Sequence, residues 1–116
     1  MNTNIEKSLL ASVLNSANSE IDIKLDKNFF TVAFHKKLIA GINRLRELNK
    51  PIDFELLRNS FIKANKWSLN EDNALIDIMT STTPFGSNNL FNQYYKHLEN
   101  TYFENFDMRL AVWISI

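Results

Sequence analysis

Residues 89–116 read NLFNQYYKHLENTYFENFDMRLAVWISI, and they decide the fold. No Pro or Gly interrupts them. The apolar positions Phe91, Tyr95, Leu98, Tyr102, Phe106, Leu110 and Trp113 are separated by 4, 3, 4, 4, 4 and 3. That spacing is close to the ~3.6-residue period of an α-helix. A helix of about 27 residues is roughly 40 Å long at about 1.5 Å per residue. The preceding residues can build a body only about 30 Å across by the usual compactness scaling. Part of the helix is therefore expected to project. Its rings cannot stay bare, because burying each is worth roughly 1.5 to 3 kcal/mol. A second helix, from this chain or another, is the natural cover. Tyr95, Tyr102, Phe103, Phe106, Leu110 and Trp113 become candidate subunit-interface residues. The final Ala-Val-Trp-Ile-Ser-Ile carries no cap and no polar tail, as a cut through a larger protein would leave it.

Working back from this helix, shorter helical segments alternate with breakers. Pro84 and Gly86 place a loop over 80–87. Leu75, Ile76 and Met79 define an inward face for a helix starting at Asn70 or Glu71. Asp53 caps a helix over 54–65 with Phe54, Leu57 and Phe61 on one side. Phe34, Leu38, Ile39, Ile42, Leu45 and Leu48 predict a helix over 31–48, with Asn49 as its C-terminal cap and Pro51 barring its continuation. Ile21, Ile23 and Leu25 alternate like a strand but have no partner in so helical a chain, so a short irregular helix or turn is expected. Thr3 to Glu6 has capping-box spacing ahead of a first helix over 4–14. The expected fold is all-α: a helical globule over 1–88, then a long C-terminal helix over 89–116.

Composition agrees. The chain has 116 residues, with two Gly and two Pro, too few for a turn-rich β fold. Cysteine is absent, which excludes disulfides and thiolate metal sites. Thirteen basic residues balance thirteen acidic ones, unlike the basic excess of a typical nucleic-acid-binding domain. No apolar run reaches the roughly 20 residues of a membrane span. The opening MNTNIEKS lacks the pattern of a signal peptide, and a cytoplasmic location is expected.

Catalytic and metal-binding constellations find little support. His35 and His97 are the only histidines, and neither sits in a ligand-like spacing. His35 is read as a partly buried helix residue, hydrogen-bonded near the domain surface. Asp22 with Asp26 and Glu71 with Asp72 read as caps and solvated surface. Ser8, Ser12 and Ser60 have no base in view. Only Gly41 and Gly86 are available, so the G-x-x-x-x-G-K-[ST] loop that cradles a nucleotide phosphate is not encoded. Lys36, Lys37, Arg44 and Arg46, with Lys50, form a basic stripe. It is either a solvated face or a candidate docking patch for an acidic partner.

Three stretches then resemble the N-terminal domain of the DnaB-family replicative helicases. Asn4-Ile5-Glu6, followed by Leu9 to Leu14, matches N-I-E and then L-G-A-I-L. Phe30, His35 and Ile39, followed by Leu48-Asn49-Lys50-Pro51-Ile52-Asp53, match F-x4-H-x3-(I/L) and then a P-I-D turn. Thr83-Pro84 and Tyr94-Tyr95 match V-P and Y-Y. The chain departs from the pattern in three places. Phe29 stands where an Asp is usual, Ala11-Ser12 where a Gly is usual, and Asn70-Glu71-Asp72 where the family has Gly-Gly.

The resemblance implies a globule followed by a dimerising helical hairpin, of which residues 89–116 form the first arm. Three such dimers would make the collar of a hexamer that binds the C-terminal domain of primase and a helicase loader. ATP and magnesium would be used only by the full-length protein, through a motor domain, and DNA would be contacted only there. A free-standing helical adaptor, such as a primase helicase-binding domain or a loader-like module, is the rival reading. A small DNA-binding module is disfavoured by the neutral charge, and an enzyme active site by the absent motifs.

Overall fold

Leu9-Leu10-Ala11-Ser12-Val13-Leu14 is apolar on every side but one, and a helix apolar all round belongs in the middle of a fold. The computed structural model puts it there. The structure describes residues 2–15, 24–81 and 88–114, with side chains for 3–15, 24–80 and 89–105. Helix α1 (Asn2–Leu14) packs against α2 (Ala33–Glu47), α4 (Leu69–Ser81) and α5 (Asn88–Ile114). All six residues of the apolar run are buried. Ser12 escapes the cost of burial by donating its hydroxyl to the Ser8 carbonyl one turn earlier, at 2.7 Å.

Among the described residues between α1 and α2, a 3-10 turn covers Lys27–Phe29. Asp26 caps it, accepting from the Asn28 N–H at 2.9 Å. Ile21 and Ile23, two of the three alternating residues, lie outside the described residues; the third, Leu25, is buried just before the turn. Helix α2 buries His35, Leu38, Ile39, Ile42 and Leu45. It packs on the 3-10 turn and on α3 (Phe54–Lys63).

The ends of α2 and α3 are built alike. Asn49 and Asn65 both take a left-handed φ of 56°. Lys50 N–H reaches back to Leu45 O at 2.9 Å, and Asn49 N–H to Arg46 O at 3.0 Å. Lys66 N–H reaches Phe61 O, and Asn65 N–H reaches Ile62 O, both at 3.0 Å. These paired bonds define the Schellman termination, in which Asn substitutes for the commoner Gly. Asn49 thus ends α2 as its sequence suggests. Asp53 caps α3, accepting from Glu55 N–H at 3.4 Å.

Four local expectations are corrected. Thr3 lies inside α1 and not ahead of it, and Glu6 turns its carboxylate away to residues of another helix. Helix α4 starts at Leu69, earlier than expected, because Ser68 and Glu71 form the true capping box. Glu71 N–H donates to Ser68 Oγ at 3.1 Å, and Ser68 N–H donates to Glu71 Oε1 at 3.0 Å. With that start, Leu75 and Ile78 face the core while Ile76 is 48% exposed. Ile76 lies about 100° around the helix from Leu75, off the buried face. Helix α4 also runs through Ser81, so the expected loop begins later; residues 82–87 are outside the described ones.

The C-terminal helix is continuous over 27 residues. The molecule measures 48 × 33 × 28 Å, so its long axis exceeds the next by about 15 Å. Among the described residues the regular elements are all helical.

Candidate assembly surface

The N-terminal half of α5 is anchored by aromatic contacts. Phe91 and Leu98 are wholly buried against the core. Phe91 stacks on Tyr95 with ring centroids 6.3 Å apart. Phe29, at the end of the 3-10 turn, is the hub of the next layer. Its ring meets Tyr95 at 5.8 Å, Tyr102 at 5.3 Å and Phe103 at 5.8 Å. The Asp26 N–H donates to Tyr95 Oη at 2.8 Å, tying the turn to the helix. Burial pushes the Tyr95 phenol above its ordinary pKa, so it stays protonated.

Burial then falls off along the helix. Tyr95 and Tyr102 are half-buried inside the subunit, and Phe103 is 47% exposed at the edge of the cluster. Glu104 and Asn105 are exposed. From Phe103 to Ile114 the helix runs on for about 16 Å at roughly 1.5 Å per residue. Of the six candidate interface residues, Tyr95, Tyr102 and Phe103 are therefore gathered around Phe29. Phe106, Leu110 and Trp113 belong to α5, with side chains outside the described ones. Phe29 was missed by reading the sequence, because the Phe29-Phe30 pair stands in an irregular segment that carries no periodicity.

The basic residues of α2 do not form one free stripe. Lys37 is occupied: its ammonium donates to Glu71 Oε2 and to the Lys66 carbonyl. It also lies over the rings of Phe61 and Trp67, at 5.2 and 5.7 Å. The Lys37 contact holds the Glu71 carboxyl below its usual range. Lys36 is half-buried, and Arg46 is half-buried and engaged by other groups. Arg44 pairs with Glu47 at 3.2 Å on the open surface, where such pairs are worth little. Nearby, Asp72 accepts from the Arg58 guanidinium and from Trp67 Nε1–H. Arg58, then Trp67, lower its pKa.

The buried polar centre lies elsewhere. Glu6 is 0% exposed and His35 3%. Glu6 Oε2 accepts from the Thr31 hydroxyl at 2.7 Å, and Oε1 accepts from Thr31 N–H at 3.1 Å and Val32 N–H at 3.4 Å. His35 Nδ1 is 2.9 Å from Oε1. Val32, which precedes α2, offers no side-chain cap. A carboxylate from α1 therefore binds the two backbone N–H groups just ahead of α2, near the helix end whose dipole favours negative charge. Burial raises the Glu6 pKa, but the bonds from His35 and Thr31 outweigh it and hold the group below its usual range. This places His35 inside the domain, not near its surface. The hint in the sequence was position: Glu6 precedes Leu9, Leu10 and Val13 at helical spacing, on their buried face. The tight packing suits a structural role.

Among the described residues no group of three His, Cys, Asp or Glu side chains could hold a metal, and no helix is long and apolar enough to cross a membrane. The G-x-x-x-x-G-K-[ST] motif that cradles a nucleotide phosphate does not occur in the sequence. Neither the curated proteins nor the solved structures contain a match to this chain. The sequence profile of the DnaB-like helicase N terminal domain matches residues 1–100. With that match spanning most of an all-helical chain, the protein belongs to the DnaB-like helicase N-terminal domain family.

Proposed function

We propose that this domain assembles the helicase ring and docks primase during DNA replication in the cytoplasm. In this reading the head over 1–88 is the globule, and α5 is one arm of a helical hairpin. Hairpins of two subunits pair through Tyr102, Phe103, Phe106, Leu110 and Trp113, and Tyr95 steadies the base of the arm. Three dimers form a collar on the hexamer, and the collar receives the C-terminal domain of primase and a helicase loader. Nucleotide hydrolysis with ATP and magnesium, and contact with DNA, belong to other parts of the helicase. The observation that carries the reading is the falling burial along α5: Phe91 is covered, Phe103 is half bare, and the helix continues.

The test is sedimentation of the full helicase carrying Phe103→Glu and Phe106→Glu, with primase titrated in. The expected result is loss of hexamer and of primase co-sedimentation, with the domain still helical by circular dichroism. An intact hexamer that binds primase normally would overturn the proposal.

A further inference from the structure

Helices α2 and α3 run antiparallel. Their link is short, and Lys37 near the start of α2 meets the Lys66 carbonyl just past the end of α3. Their close approach is set by Gly41. A Cβ there would lie 2.6 Å from Leu57 Cδ1 and 2.9 Å from Phe61 Cζ. The outer side of this pair holds a groove of about 510 Å³. Its open apolar surface comes from Leu48 on one wall and half-buried Phe61 on the other, with buried Leu45 and Leu57 forming the floor. Leu48 is 47% exposed, a large apolar side chain left open to water.

The rim of the groove has one sign. Of its eleven lining residues three are cationic, Arg44, Lys50 and Lys66, and none is acidic. Two of these cations hold the same position in the two Schellman turns, so one lysine follows each helix end. The turns also take up the carbonyls of Leu45, Arg46, Phe61 and Ile62, so those acceptors are already engaged within the chain. Arg44 has only its exposed contact with Glu47 to give up. Residues 40 to 48 of α2 extend about 12 Å, room for roughly two turns of a docked helix.

We propose that the α2–α3 groove is a docking site for an acidic amphipathic helix of a partner protein. The apolar side of that helix lies on Leu48 and Phe61, above the floor made by Leu45 and Leu57. Its carboxylates meet Arg44, Lys50 and Lys66. Charge complementarity selects the partner: a neutral or basic helix would gain the same apolar contact but leave the cations unpaired or repelled. This surface is separate from the α5 aromatic cluster, so it stands or falls independently of the assembly reading.

The test uses three fluorescein-labelled synthetic helices with identical leucine faces and with glutamate, glutamine or lysine elsewhere. Each is titrated with the chain and followed by anisotropy. Saturable binding of the glutamate helix is expected, weakened about tenfold or more by Lys50→Glu with Lys66→Glu and by added salt. Lys96→Glu, on α5, should leave it unchanged. If the double variant loses its helical circular dichroism, Leu48→Ser replaces it, and a comparable loss of affinity is expected. Equal binding of the glutamine helix, or affinity indifferent to these substitutions, would overturn the proposal. So would a single-stranded oligonucleotide that binds through Lys50 and Lys66 while the glutamate helix does not. Self-association of the chain that Leu48→Ser abolishes would make a second copy the occupant and also overturn it.

Discussion

Replacing Glu6 with Gln removes one charge and almost no volume from the most buried polar site of the domain. In the native state one carboxylate serves Thr31 N–H, the Thr31 hydroxyl, Val32 N–H and His35 Nδ1. The amide keeps a single acceptor oxygen and turns an NH2 toward donors. Leaving buried partners of a charged group unsatisfied costs about 1–3 kcal/mol or more, which places Glu6→Gln at about 3 kcal/mol. At roughly 0.05–0.15 kcal/mol per residue, that is a large share of the total stability. With an unfolding entropy of about 2.1 cal/mol/K per residue, the melting temperature should fall by about 12 °C.

The assay is urea and thermal unfolding followed by far-ultraviolet circular dichroism, with exposed Glu104→Gln as control. The midpoint should drop with an unchanged urea slope. The pH dependence has a definite sign. The folded pKa of Glu6 lies below its ordinary value, so its contribution is present above about pH 4.3 and is lost as pH falls through the folded value. The gap between wild type and Glu6→Gln should therefore be widest near neutrality and should close in acid. A gap under about 0.5 kcal/mol at pH 7 would be within the range of ordinary surface changes and would refute the reasoning. A gap that does not narrow in acid would do the same.

Other perturbations address other contacts. Tyr95→Phe deletes the acceptor for Asp26 N–H and should cost about 1 kcal/mol in urea unfolding, without loss of helix. Gly41→Ala should destabilise by about 1–2 kcal/mol, because the clash with Leu57 and Phe61 exceeds the roughly 1 kcal/mol that Ala adds to a helix interior. Asn49→Ala places a Cβ-bearing residue less tolerant than Asn at φ 56° and should cost about 1 kcal/mol, read from the melting temperature. The Glu71 carboxyl also lies below its usual range, chiefly through Lys37, so Lys37→Met should reduce the stability lost between pH 5 and pH 3, measured by urea midpoints.

Local chemistry made much of this fold legible. Pro51, Asn49 and Asp53 mark a helix break whatever surrounds them, because each acts within a few residues through its own backbone preference. The unbroken period of residues 89–116 likewise defined a long helix ahead of any packing. The Ser68–Glu71 box was equally legible, although Asn70 drew the reading two residues too far. Where periodicity was ambiguous, the structure decided, as in turning Ile76 outward and Ile78 inward.

Tertiary structure alone decided which polar and aromatic groups met. Glu6 and His35 are 29 positions apart, and Asp26 and Tyr95 are 69 apart. No helical period connects such pairs. Glu6 looked like a capping-box residue for its own helix and instead holds the segment that leads into another, because docking α1 beside the start of α2 brought the Thr31 and Val32 N–H groups within its reach. Phe29 became the centre of the α5 cluster for the same reason. Helix propensity acts over one turn, whereas the choice of contacts is made when apolar faces close on one another, and the sequence records that choice only as a scatter of distant residues.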